Sequence, residues 1–373
     1  MTYLDSQTAL CVCLAADIPV ILWGDPGQGK TTVNVAIAAA QKWHHECLIL
    51  SLRDPSDLGG MPVVIDGELV LAPPPYARRI VAAGERGQAS LLDLDELSTA
   101  PAMTQAAGLR VVLERVAGDV HLPNMRVVAS ANPPEQNGGF DLEAPMANRF
   151  CHLDWKLDAK TFREGMTYGW TAPEVPIPDL TVLDRETAHG KFLVAEFIHS
   201  KQELLTVLPK SDAERGRAWP SPRSWEMAAK LWGAAQACGA NETVVNLLIT
   251  GTVGLGAGRE FLNYVANLDL PNPEALLADP ASLVVPPRTD LAETIGASVL
   301  SAVLANNTPE RWNACGLILA GLASGGKADI AVSLGIRWTK NRPPGATHVK
   351  ELTAKLAPIL RLLEPQLFGG VPE

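Results

Sequence analysis

Along the first 155 residues, short apolar runs alternate with longer amphipathic stretches, which predicts strands and helices in alternation. The runs "IPVILWG" (18–24), "CLILSL" (47–52), "ASLLDLDE" (89–96), "MRVVASA" (125–131) and "RFCHLDW" (149–155) read as strands. Helical spacing covers about 31–43, 75–87, 100–115 and 142–148, and an early helix suits Cys11 and Cys13. Continuous apolar triplets at 20–22 and 48–50 fit strands covered on both faces, as in a parallel sheet flanked by helices. Beyond residue 156 the strand-like runs stop. A proline-rich link, "WTAPEVPIPDL" (170–180), leads into helical stretches near 185–207, 223–238, 241–255 and 257–268. A second break, "PNPEALLADPASLVVPPRTD" (271–290), precedes others near 291–305, 308–323, 327–338 and 347–363. The expected fold class is α/β with a parallel sheet. Its expected divisions are an α/β domain at 1–155, a small helical domain at 156–268 and a helical extension at 269–373.

Two hairpins interrupt the core. "PVVIDGELVL" (62–71) sets an Asp-Gly turn between apolar alternations, and "ERVAGDVHLP" (114–123) offers a shorter hairpin around Gly118-Asp119. Each can be a plain surface feature or a protrusion that works on a partner.

Composition narrows the class. A 373-residue chain with 47% hydrophobic residues has material for two or three packed domains. Its formal charge of −10 argues against wrapping nucleic acid or an anionic membrane. The opening residues carry Asp5 and no basic stretch, so no secretion signal is read there, and six scattered cysteines suit reduced thiols in a cytoplasmic protein. "HHEC" (44–47) lacks a second pair at zinc-type spacing, so no structural zinc is expected.

The candidate chemistry starts where the first inner strand ends. "GDPGQGKT" fits G-x-x-x-x-G-K-[ST], a loop whose backbone N–H groups converge on an anion at a helix start. Gly24, Asp25, Pro26, Gly27, Gln28 and Gly29 form the cradle, followed by Lys30, Thr31 and Thr32. Lys30 is the expected contact to the β and γ phosphates of ATP, and Thr31 a ligand for Mg²⁺. "SLLDLDEL" (90–97) ends a strand in Asp95-Glu96, with Asp95 to support Mg²⁺ and Glu96 to polarise water. Asp93 lies on the same strand, but the acidic pair followed by Leu97 fits a strand end better. "RVVASANPP" (126–134) brings Asn132 beside these acids if the two strands are neighbours.

Taken in order, "GDPGQGKT", "LLDLDEL", "VVASANPP" and "APMANRF" resemble an AAA+ ATPase. "GELVLAPPPYARRI" and "APAMTQAAGLRVVLE" are similar to the MoxR branch of that superfamily. The resemblance spans about residues 15–240 and implies an AAA+ P-loop core followed by a helical lid. It also implies that Arg149 in "MANRF" is an arginine finger inserted into a neighbouring subunit. Arg223 in "WPSPRSWE", at a helix start capped by Ser221, matches the family's sensor arginine that closes the lid over nucleotide. Further implications are a homo-oligomeric ring, by habit a hexamer, and hydrolysis used to remodel, activate or metallate a partner protein. A von Willebrand factor A domain protein is a frequent partner type. The alternatives weighed are a nucleic-acid motor or restriction-type subunit, a nucleotide-gated scaffold of low turnover and, more distantly, a small-molecule kinase.

Overall fold

The computed structural model describes residues 2–133, 142–268 and 270–346, so the helix expected at 347–363 lies outside the described residues. Contacts divide the chain into two units. One takes the chain up to Leu183 together with Lys201–Leu262, and the other takes Asp184–Ser200 together with the chain from Asn263 onward.

The first unit holds α1 (Tyr3–Ala15), β1 (Val20–Trp23), α2 (Lys30–Ala40), β2 (His44–Ile49), α3 (Pro55–Gly59), β3 (Met61–Ile65), β4 (Glu68–Ala72) and α4 (Pro75–Glu85). It continues with β5 (Ser90–Asp95), α5 (Ala102–Glu114), β6 (Val116–Ala117), β7 (Val120–His121), β8 (Met125–Ala131), α6 (Ala144–Ala147), β9 (Cys151–Asp154) and α7 (Ala159–Tyr168). After α8 (Leu180–Ser200), most of which belongs to the second unit, come α9 (Asp212–Arg215), α10 (Pro222–Ala237), α11 (Glu242–Val253) and most of α12 (Leu255–Asn267). The sheet runs β2-β5-β8-β1-β9, and all four pairings are parallel. The expected α/β class with a parallel sheet and helical C-terminal region is the one observed. Ile21, Leu92, Val128 and Ala129 are fully buried, as strands covered on both faces require. Such a sheet gathers its strand ends along one edge, where α/β folds bind ligands.

Residues 201–262 join this unit because α11 lies directly on the sheet edge. A Cβ on Gly251 would meet the His152 carbonyl at 2.3 Å, so only glycine permits this approach. Cys11 and Cys13 are buried in α1, and burial pushes the Cys11 thiol up to about 12.

Strand β2 starts three residues before the apolar run that announced it. His44 and Glu46 enter the ladder because the Glu46 carboxylate finds partners. Arg79 donates to its two oxygens at 2.6 and 2.7 Å, and His44 Nε2 lies 2.7 Å from Oε1. The last part of that run, Leu50–Leu52, turns away as a 3₁₀ helix.

Both hairpins form. β3 and β4 pair across Asp66 and Gly67, which take positive φ as a tight hairpin turn demands. The β6–β7 turn stitches to the root of the first hairpin, with Gly118 N–H donating to Gly59 O and Leu71 N–H to Asp119 Oδ2 at 2.7 Å. At the tip, Val64, Ile65 and Leu69 stay more than half exposed.

The second unit combines the larger part of α8 with α13 (Pro273–Ala278), α14 (Thr289–Ala305), α15 (Pro309–Ser324) and α16 (Ala328–Lys340). Trp312 and Trp338 stack at 4.2 Å, each indole N–H donating to the other residue's carbonyl. Arg311 pairs with both carboxylate oxygens of Glu274 at 2.6 and 2.9 Å.

Candidate nucleotide site

Four segments far apart in sequence meet at the ends of β1, β5 and β8. Between β1 and α2, Gly27 and Gly29 take φ of 79° and 77°, the left-handed region that lets the loop curl. Lys30 opens α2 and is almost fully buried, its ammonium donating to Gly24 O at 2.5 Å, Asp25 O at 3.0 Å and Asn132 Oδ1 at 3.0 Å. Burial pulls the Lys30 pKa below the ordinary lysine value, against the pull of Asp95 and Asp25. Thr31 Oγ1 donates to Asp95 Oδ2 at 3.0 Å.

The acids at the end of β5 are held in different ways. Asp95 Oδ1 accepts from the Glu96 N–H at 3.0 Å. Glu96 takes φ of 56°, a left-handed conformation uncommon for a side chain this size, and accepts a hydrogen bond from the Ser51 hydroxyl. Asn132 follows β8, which pairs directly with β5. Its backbone is fixed through Ser98, whose hydroxyl accepts from Asn132 N–H and donates to Asn132 O, both at 3.1 Å. Asp93 lies two residues back on β5, fully buried, and accepts from Asn34 Nδ2 of α2 at 3.0 Å. The two pairs, Thr31–Asp95 and Asn34–Asp93, clamp α2 to β5 like successive rungs.

Lys30, Thr31, Thr32, Asp95, Glu96 and Asn132 line a cavity of about 320 Å³ together with Pro26–Gly29 of the loop. A second cavity of about 680 Å³ adjoins it and shares Gly27, Gln28, Gly29 and Thr32. Tyr3, Leu157, Phe162 and Trp170 give it apolar walls, with Gln7 as a polar exception. Gln28 ties the loop to this wall: its side-chain oxygen accepts from Leu157 N–H at 2.9 Å and its carbonyl from the Trp155 indole at 3.2 Å. A polar cradle next to an apolar slot suits a nucleotide, with its phosphates in the first and its base in the second.

The two arginines lie elsewhere. Neither Arg149 nor Arg223 belongs to the described lining of the cavity around Lys30. Burial lowers the Arg149 pKa, and the Arg223 charge lowers it further, against the pull of Glu114. Arg149 Nη1 donates to Pro145 O, while its buried Nε has no partner among the described residues. The helix start that carries Arg223 is bonded to the residue before Arg149, through Ser221 and Asn148.

Sequence reading missed Ser51, Ser98 and Trp170. A serine beyond a strand end carries no signal, and Trp170 fell in a stretch that looked like a connector. His44 and His45 do not converge on a metal; His45 Nε2 is 3.8 Å from Asp93, on the other side of the strand from the His44–Glu46 pair.

Loop, lysine, hydroxyl and strand-end acid gather around one cavity on a parallel α/β sheet in the arrangement of the P-loop pattern. No family model and no curated protein matches the sequence. Among solved structures, a candidate ATPase from Cytophaga hutchinsonii is similar over 71% of this chain and 89% of its own, with 15% identity and a TM-score of 0.42. A full-length MCM homolog from Methanopyrus kandleri is similar over 67% of this chain and 55% of its own, with 18% identity and a TM-score of 0.36. Both likenesses are partial, and the functional reading rests on the site's own geometry. Among the described residues no helix is long and apolar enough to cross a membrane.

Proposed function

We propose that the protein is an ATPase of the AAA+ class, of MoxR type, that works on a partner protein as a ring of identical subunits. The observation that carries this reading is the joint contact of Thr31 with Asp95 and Lys30 with Asn132 at the edge of one cavity. These are side chains from three strand ends, brought within hydrogen-bond reach of where a polyphosphate would lie.

Lys30 exchanges its bonds to loop carbonyls for β and γ phosphate oxygens, and the loop N–H groups share the remaining charge. Thr31 and Asp95 form a hard-oxygen pair suited to Mg²⁺, and among the described residues no group of three or more His, Cys, Asp or Glu could hold a metal. That fits an ion completed by water and substrate phosphate. When bound, Mg²⁺ supplies charge neutralisation at the phosphate oxygens. Glu96 is the base for water: the water oxygen bonds to the γ-phosphorus, the bond to the bridging oxygen breaks, and the water's proton passes to the carboxylate. Ser51 holds Glu96 until substrate arrives, and Asn132 orients the water or the γ-phosphate. Arg149 and Arg223 serve a neighbouring copy's site as one cationic face. The β3–β4 tip, with its exposed Val64, Ile65 and Leu69, is the surface for the partner, and a von Willebrand factor A domain is the partner type proposed.

The test is steady-state ATP hydrolysis by wild type and Glu96→Gln, with binding of a fluorescent ATP analogue measured in parallel. The substitution is expected to lower kcat by about 10²–10⁴-fold and to leave binding intact. Unchanged turnover removes Glu96 from its role. Hydrolysis stimulated by nucleic acid with a steep salt dependence moves the partner from protein to nucleic acid.

A further inference from the structure

Asn148 stands directly before Arg149 and is 4% exposed. Its amide reaches across to the start of α10. Nδ2 donates to Trp219 O at 3.0 Å, and Oδ1 accepts from the Ser221 hydroxyl at 2.6 Å. Ser221 is the N-cap of α10, receiving Ser224 N–H at 3.1 Å, while the Ser224 hydroxyl accepts from Ser221 N–H at 2.8 Å and donates to Trp219 O at 2.9 Å. Arg223 is the second residue of that helix. One buried amide thus joins the turn between α6 and β9 that carries Arg149 to the helix start that carries Arg223.

The chemistry of the tie is informative. Two guanidiniums carried on segments tied side by side repel one another, and proteins commonly offset such a pair with carboxylates. Here the bonds that fix the two backbones are neutral, and Arg149 Nε has no partner among the described residues. Arg223 is exposed and Arg149 half-buried, so the pair still reaches solvent, where an anion from outside can meet it. An Asp at 148 would set a carboxylate against the Trp219 carbonyl, so the amide suits this junction better than an acid.

We propose that Asn148, acting with Ser221, is a positioning residue that holds Arg149 and Arg223 as one two-pronged clamp for the terminal phosphates of a nucleotide bound by a second copy of this chain. The inference rests on the ATPase reading and adds to it that the two arginines act as a coupled unit. Loss of the amide lets the prongs separate. A misplacement of about 1 Å in such a clamp can cost about 10²-fold in rate.

The experiment is a kinetic cycle on the full chain. Asn148→Ala is expected to lower kcat by about 10²-fold while the dissociation constant for a fluorescent ATP analogue and the melting temperature stay near wild type. Ser221→Ala is expected to lower kcat and Ser221→Thr, which keeps the hydroxyl, to restore it. In an Arg149→Ala/Arg223→Ala background, Asn148→Ala is expected to have no further effect on kcat. Equal loss in both backgrounds, or loss matched by a fall in melting temperature, shows a merely structural amide and overturns the clamp. Wild type that binds no nucleotide overturns the ATPase reading itself, a separate outcome. If wild type binds without turnover, the same cycle is read on ATP-dependent assembly by light scattering; assembly that survives Asn148→Ala also overturns the clamp.

Discussion

The nucleotide edge of the sheet and the C-terminal helical unit use buried polar groups in opposite ways. Around Lys30 the groups are provisional: an ammonium on loop carbonyls, and Glu96, in a left-handed conformation, on a serine. In the helical unit the prominent groups are mostly closed on one another. Trp312 and Trp338 exchange indole bonds, and Arg311 gives Nη1 and Nη2 to Glu274 and Nη2 also to Ala302 O, with its buried Nε left without a partner among the described residues. Polar groups that are to bind a substrate must be released at low cost, whereas groups that only hold a fold gain by being fully matched. The first arrangement suits groups that exchange partners with a ligand, and the second suits groups that hold a fold.

The contrast can be tested by how much stability each region loses. Trp312→Ala removes a stacked, fully buried ring and both indole bonds' geometry, and about 3–5 kcal/mol of stability should go with it, read by urea unfolding. A loss under about 1 kcal/mol would place the helical unit among loosely packed regions and weaken the contrast.

His152 gives the next largest effect. Its Nδ1 accepts from the Trp23 indole and its Nε2 lies 2.9 Å from Ala147 O, so the ring is neutral and its pKa is depressed by burial to about 4. The ordinary value is 6.5, so between pH 6.5 and about 4 the unfolded chain binds a proton that the folded chain refuses. Stability present above pH 6.5 is therefore lost as pH falls, by about 3 kcal/mol at the lower end. His152→Gln should flatten the acid limb of unfolding relative to wild type; an unchanged limb would mean that the histidine does not supply it.

The smallest stability effect belongs to the hairpin tip. Ile65→Asp with Leu69→Asp should change unfolding by less than about 0.5 kcal/mol and leave ATP turnover intact, since both side chains face solvent. Capture of a protein partner by the Glu96→Gln trap should disappear in the same variant. Simultaneous loss of turnover would assign the tip to folding.

Much of the site was legible because its parts are local. A glycine loop, an acidic strand end and an Asn-Pro strand end each occupy a few consecutive residues, and β8 was read to its exact bounds, 125–131. The start of β2 was hidden, because His44 and Glu46 look polar until Arg79, 33 residues past Glu46, supplies a partner. Trp170 was hidden for a similar reason: its part in a cavity wall depends on α2 and the loop, not on its neighbours in sequence.

By itself, the sequence determined the α/β class, the hairpins and the order of the candidate chemistry, since periodicity and turn residues act over a few positions. Tertiary structure alone decided that Lys30 meets Asn132, that residues 201–262 pack with the sheet, and that Asn148 bonds Ser221. Those outcomes depend on which buried donors find acceptors after the chain has closed on itself, and no window of residues contains that information.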